Sequence, residues 1–455
     1  MLEEDDGYLN DLTLKKIEVR GFRGTDRVIE IDLKRDANFL IGRNGTGKTT
    51  LINLISDTLA CRYSNMMSSP FEEIKITFQH SDNRYKPFLT AKKNYDEDGD
   101  LIEVIYEFTD FKTKGPSFSY PIKSRYYRQG EDMARSMTQR RIRNELSKRF
   151  KLTWLALNRS VGLNKPSSEK SNDLDDRLEH SLQRLGTYFT TLDSLFAQEL
   201  QKFQQEWFMS LLVSSRRANV IQQVARLNIQ EEDKQIREML RGIGISDAQF
   251  SGKVDRHITT ATKIAANGYR PPTDEVMGYI ADLSDIARLH HWVEQWQELQ
   301  DRKVAIYRPR EKFLAIASSM LFRKRLDVDA GNRVFVRTGK APTTTTKAKQ
   351  KTVAQLRREA VAGRLTYIDE VALSDLSSGE KQLLIFLSET VLQLGEPHVF
   401  IADEPELSLH IEWQEKLVPV LLELNPKAQI LFATHSPDIV NTYQNNVFSM
   451  EKVAY

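Results

Sequence analysis

Cysteine is almost absent: Cys61 stands alone among 455 residues. One thiol cannot build a disulfide framework within the chain or a multi-cysteine zinc site. Net charge is missing too, since 65 Lys and Arg stand against 63 Asp and Glu. Bulk electrostatics therefore gives no argument for nucleic-acid binding, and only a local patch could carry one. The 40% of hydrophobic residues are too many for a disordered tail. Nowhere do they gather into the roughly 18–20 apolar residues that span a bilayer. The opening MLEEDDGYLNDLTLKK is acidic and lacks the apolar centre of a secretory leader. These absences describe a reduced protein expected in the cytoplasm, long enough for roughly two to four domains.

What is present changes texture along the chain. Leu12–Leu33 predicts two short strands, and Ala37–Ile41 (ANFLI) a buried strand ending at Gly42. A helix is expected from Lys48 through Leu51, Leu54, Ile55 and Leu59, then strands at Glu73–Gln79 and Leu101–Phe108. Lys123–Lys151 carries ten Lys or Arg against three acids, with Tyr126 and Tyr127 inside it. Leu152–Asn158 reads as a strand and Asn164–Asn172 as a linker.

From Leu174 the pattern is helical. Leu178, Leu185 and Leu192 fall seven apart, as do Leu182, Phe189, Phe196 and Phe203, with Glu199 interrupting the stripe. Residues 273–322 repeat apolar positions every three or four, from a helix start at Thr273, Asp274 and Glu275. The expectation is two long antiparallel helices with shorter ones between. Their stripe serves either as the core of their own bundle or as a coiled coil for another chain. A hairpin around Ala330-Gly331-Asn332 follows, then a basic excursion at 340–364 expected on a mobile surface, then strand–helix–strand alternation. The predicted organisation is a head of α/β class in two parts, 1–163 and 323–455, separated by a helical insertion at 164–322.

Gly42-Arg43-Asn44-Gly45-Thr46-Gly47-Lys48-Thr49 satisfies G-x-x-x-x-G-K-[ST] between an apolar strand and a helix. Its glycines let successive N–H groups, through Thr50, point into one concavity that holds phosphate oxygens. Lys48 supplies a charge to the outer phosphates, and Thr49 a hydroxyl to Mg²⁺. Val399–Ala402 is a buried strand ending in Asp403 and Glu404. Asp403 suits the Mg²⁺ shell and Glu404 the polarising of an attacking water. His435, after the apolar run Ile430–Ala433, can contact the γ-phosphate or that water. Leu376-Ser377-Ser378-Gly379-Glu380-Lys381 precedes an apolar helix and reads as an anion site or as a cap.

In this order the four elements resemble the ATP-binding-cassette ATPases: phosphate loop, signature, acidic pair and switch histidine. LSSGE departs from the usual LSGGQ at its third and fifth letters, as in the DNA-repair and chromosome branch. The continuations DEPELSLH (Asp403–His410) and ATHSPDIV (Ala433–Val440), with KKIEVRGFRG (Lys15–Gly24), are similar to the OLD-like ATPases of bacterial and viral defence. The resemblance covers about 1–160 and 323–455. It implies a mixed-sheet head with a helical insertion, ATP and Mg²⁺ as ligands, and a second copy closing the site. Ser377, Ser378 and Gly379 of that copy would face Lys48, and Arg23 would touch nucleotide. His410 stands where the transporter pattern expects Asp, and Gln79 and Gln129 are both candidates for the Q-loop glutamine.

OLD nucleases continue into a Toprim domain, for which the residues after His435 hold no acidic cluster. A nuclease partner is therefore expected on a separate chain. Stand-alone ATPases of this size resemble the PARIS (AriA-type) subunits, with the Septu and retron-linked ATPases close beside them. That resemblance implies a homo-oligomeric scaffold that holds a Toprim effector and answers a viral trigger protein. The alternative is a DNA-repair or chromosome-type ATPase that clamps DNA, for which 123–151 could contact phosphates; a transporter subunit would lack the large insertion.

Overall fold

The computed structural model describes residues 12–24, 26, 28–80, 86–110, 116–123, 131–156, 173–212, 227–265, 272–340 and 366–453. The expected linker at 164–172, the basic excursion at 341–364, Tyr126, Tyr127 and Gln129 lie outside them.

Among the described residues the head unit holds three sheets. Strands β1 (Thr13–Arg20), β2 (Ile29–Asp32), β4 (Glu73–Gln79), β5 (Phe88–Tyr95), β6 (Leu101–Thr109) and β7 (Phe118–Lys123) form an antiparallel sheet in the order β2-β1-β4-β5-β6-β7. β4 shows the alternation most simply: it hides Ile74, Ile76 and Phe78 and turns Lys75 and Thr77 away. The second sheet is parallel, in the order β14-β3-β13-β12-β8. Its strands are β3 (Ala37–Ile41), β8 (Leu152–Ala156), β12 (His398–Asp403), β13 (Ala428–Ala433) and β14 (Val447–Ser449). Both faces are covered, so β13 is buried at every position.

Gln429 of β13 joins the two sheets as a backbone would. Its Oε1 accepts from Leu14 N at 2.7 Å, and its Nε2 donates to Leu14 O and Lys34 O, each at 2.7 Å. Helices α1 (Lys48–Leu59) and α2 (Tyr63–Ser68) supply Leu51, Ile55, Tyr63 and Met66 to the core beneath the antiparallel sheet.

Helix α3 (Glu131–Ser147) carries much of the basic stretch, and part of it turns inward. Arg143 donates to Ala60 O and Cys61 O, just past α1, at 3.1 and 3.4 Å. Arg149, just beyond α3, holds Glu145 at 2.8 Å and lies 4.8 Å over the Phe108 ring. Arg135 stacks on Tyr63 at 5.6 Å. A third sheet, β11-β10-β9, consists of β9 (Lys324–Val328), β10 (Val334–Lys340) and β11 (Thr366–Val371). The expected hairpin turns at Asn332, at φ 63°.

The chain divides into two compact units, residues 1–186 with 312–455, and residues 187–311. The boundaries fall inside two long helices, α4 (Asp173–Leu212) and α7 (Val276–Met320). Within the second unit these run antiparallel, since contacts descend one as they climb the other. Asp193 accepts from Tyr307 Oη at 2.8 Å, Glu199 meets Arg302 at 2.9 Å, Phe203 packs on Trp296 and Ser210 accepts from Trp292. Helices α5 (Ile229–Gly242) and α6 (Asp247–Ala265) lie between in sequence and add Ile236, Met239, Phe250 and Val254 to a core with Val293 and Trp296. The stripe of α4 packs within its own chain, and Glu199, its interruption, is paired with Arg302 and Lys202.

Among the described residues no helix is long and apolar enough to cross a membrane. Cys61 is buried and unpaired.

Candidate active site

Parallel register decides what meets what. Asp403 lies opposite Ala433 on one side and Ala156 on the other, Ala433 lies opposite Leu40, and Ser449 opposite Ile41. The turns that leave these strands therefore crowd one edge of the sheet, where open α/β sheets bind ligands.

The first turn is residues 42–47. Gly45 and Gly47 take φ of 84° and 95°, a backbone that glycine adopts without strain. Gly47 begins α1 with no side-chain cap, so the first amides of the helix are left to an anion. Lys48 is only 5% exposed and donates to Gly42 O at 2.7 Å and Arg43 O at 3.2 Å. Burial lowers its pKa, against the pull of Glu404, Asp403, Glu451 and Glu406. Thr46 closes the turn by donating to Arg43 O at 2.9 Å, while Asn44 is exposed and Thr50 half-buried in the first turn of α1. Arg23, in a three-residue turn at φ 57°, reaches across to donate to Gly45 O at 2.8 Å. That expected nucleotide contact is thus part of the phosphate loop's own scaffold.

The acidic turn comes next. Thr49 Oγ1 lies 3.3 Å from Asp403 Oδ1. Glu404 sits in left-handed backbone, φ 51°, fixed by its N–H on Ala433 O at 2.8 Å. His435 is exposed, and its backbone N–H donates to Glu406 Oε1 at 2.7 Å. Gln414, on α9 (Ile411–Leu424), donates to Leu409 O at 2.9 Å and accepts from Ser436 Oγ at 2.7 Å. His410, the expected departure, caps α9 by accepting from Glu412 N at 3.4 Å. Glu451 accepts from Arg43 N at 2.8 Å and from Ser449 Oγ at 2.7 Å, and these bonds hold its pKa down to about 2. An open cleft of about 820 Å³ beside the loop is lined by Gly42, Arg43, His435, Asn441, Gln444 and Glu451.

Glu406, Gln414 and Glu451 have no role in the sequence reading. Gln79 ends β4 in the antiparallel sheet, opposite Thr13.

The signature turn is built differently. Ser377 caps α8 (Ser378–Val391) in a reciprocal box, accepting from Glu380 N and donating its hydroxyl to Glu380 Oε2 at 3.0 Å. Lys324 grips the same carboxylate at 2.7 and 2.8 Å. Lys381 pairs with Asp175 of α4 at 2.5 Å. Gly379 lies against the acidic turn; a Cβ there would stand 2.3 Å from Ser408 O. Among the described residues no hydrogen bond joins 376–380 to 42–50 within the chain.

The residues present fit a triphosphate with magnesium. Thr49 and Asp403 offer the hard oxygen donors that magnesium takes, and uncapped amides with a buried ammonium suit phosphate oxygens.

A family model described as "AAA domain" matches residues 16–244. A second, described as "AAA domain, putative AbiEii toxin, Type IV TA system", matches residues 317–441. A curated relative, the retron Vc95 probable ATPase of Vibrio cholerae serotype O1 biovar El Tor, is 30% identical over 84 residues. That match covers 16% of this chain and only 16% of the relative's length. Among solved structures the chain is similar to the Smc head domain with an extended coiled coil, bound to the C-terminal domain of ScpA, from Pyrococcus furiosus. Identity there is 13%, with 96% of this chain and 93% of that chain covered, at a TM-score of 0.43. The SMC head domain from Thermotoga maritima gives 12% identity, 96% and 94% coverage, and a TM-score of 0.38.

Proposed function

The chain belongs to the AAA-domain family, and on that premise we propose that it binds ATP with magnesium and hydrolyses it to ADP and phosphate. One observation carries the reading. Thr49 and Asp403, 354 residues apart in the chain, bring a hydroxyl and a carboxylate together at 3.3 Å beside the buried Lys48.

The amides of 44–50 and Lys48 hold the phosphates, and Arg23 braces the loop through Gly45. Thr49 and Asp403 would hold magnesium, which would supply positive charge against the outer phosphates. Glu404 orients the attacking water, and His435 contacts the γ-phosphate. A second copy closes the pocket with Ser377, Ser378 and Gly379. For that contact the Ser377 hydroxyl redirects from Glu380 to phosphate, while Lys324 keeps the Glu380 carboxylate neutralised.

The cellular role we infer is anti-phage defence. The ATPase forms an oligomeric scaffold that holds a separate nuclease effector, of Toprim type, and releases it on a viral trigger. Support comes from the DEPELSLH and ATHSPDIV strings, from the retron ATPase relative and from the toxin–antitoxin wording of the second family model. The DNA-clamp alternative loses ground because Arg149 is buried against Glu145 and Phe108 and half-buried Arg135 stacks on Tyr63.

The test is direct. Lys48→Ala abolishes nucleotide binding by calorimetry, and Glu404→Gln binds ATP without turning it over; tight binding by the first or rapid turnover by the second would refute the site. Phage plating on cells carrying the gene with its neighbours tests the role, which fails if Lys48→Ala protects as well as the parent.

A further inference from the structure

We propose that Glu406 is the positioning residue of His435, fixing the switch turn against the acidic turn; this rests on the ATP-site reading above. Glu406 Oε1 accepts the His435 backbone N–H at 2.7 Å, and Oε2 is buried with no hydrogen-bond partner among the described residues. A carboxylate accepting an amide proton makes a short, charge-assisted bond, stronger than a neutral one. Glu406 therefore sets where the residue-435 backbone sits relative to Glu404, two positions before it in the chain.

A second bridge runs beside the first. Ser436 Oγ donates to Gln414 Oε1 at 2.7 Å and accepts from Asp438 N and Ile439 N at 3.2 and 3.3 Å. Gln414 in turn donates to Leu409 O at 2.9 Å, at the end of the acidic turn. The far side of that turn is anchored to α8, where Gln382 Nε2 donates to Pro405 O at 3.0 Å. The acidic turn is thus held on both flanks, and Glu406 is its charged link to the histidine. Its carboxylate is felt by Lys48, yet its hydrogen bond goes to backbone. It acts through His435 and touches no reacting atom.

Turnover and nucleotide affinity of the full chain separate this role from a structural one. Glu406→Ala lowers kcat about 10²-fold, the scale on which a misplaced catalytic group costs rate, and leaves ATP affinity unchanged. Glu406→Gln, which keeps an acceptor for the amide, restores most of the turnover. The double variant Glu406→Ala/His435→Ala is no slower than the slower single, because both remove one function. Glu406→Met, of similar volume and without an acceptor, replaces the alanine variant if that one does not fold. Parental turnover in Glu406→Ala, multiplied losses in the double variant, or equal losses of affinity and turnover would overturn the proposal. If Lys48→Ala and Glu404→Gln still fail as expected, only Glu406 is refuted; if they do not, the ATP-site reading falls with it.

Discussion

Gly379 answers to two demands at once. It stands in the signature turn, and it lets the Ser408 carbonyl approach to where a Cβ would be 2.3 Å away. Backbone cannot yield as a flexible side chain does, so Gly379→Ala forces α8 away from the acidic turn. The expected cost is about 1–3 kcal/mol, the range for overpacking. Thermal or denaturant unfolding reads it directly, and an unchanged midpoint would mean the two elements separate freely. At this scale the sequence was legible where one string carries the chemistry. Lys48 and Thr49 begin α1 directly after the glycine turn, where the G-x-x-x-x-G-K-[ST] string puts them. Glu406 and Glu451 were not legible, because their partners lie 29 and 408 residues away and no local pattern encodes such a bond.

Among elements, the parallel strands β3, β12 and β13 were readable because strands buried on both faces are written as apolar runs. β5 was not, since FLTAKKNY reads as a polar segment. Its Lys93 is nevertheless buried, with the ammonium on Met67 O and Ser69 O at 3.0 and 2.6 Å and the pKa pushed down to about 8 by burial. Charge in a strand hides burial whenever carbonyls receive it.

At the opposite edge of the parallel sheet from the site, β12 begins with His398. Its Nε2 lies 2.7 Å from Thr153 Oγ1 of β8. Burial, and then the nearby Lys151, lowers its pKa from 6.5 to about 4. A base with a depressed folded pKa is protonated first in the unfolded chain. Its contribution is therefore intact above pH 6.5 and is lost as pH falls toward 4. The loss is at most about 3 kcal/mol for the whole interval. His398→Gln is expected to flatten the fall of melting temperature between those pH values; a parallel fall in both proteins would show that other groups dominate.

For the whole molecule, the proposed sandwich makes a concentration prediction. Light scattering of Glu404→Gln with ATP and magnesium shows a mass at least twice that of the nucleotide-free chain, and Lys48→Ala shows none of this increase. A mass that ignores nucleotide would leave each copy to complete its site alone. The division at 186 and 311 bears on the same question, since Ser181 and Arg184 of α4 meet Glu389 of α8 at 2.8 and 2.9 Å within the head unit. The base of the helical insertion is therefore bonded to the helix that carries the signature.

Strand order also ties the site to the way the polypeptide is made. β3, which delivers the phosphate loop, takes both its neighbours, β13 and β14, from residues 428–449. A ribosome that has passed Lys48 but not Ala428 holds a loop with no flanking strands and no Asp403 beside it. Competence for nucleotide thus waits for residues 428–449, and a copy terminated before them is silent by construction.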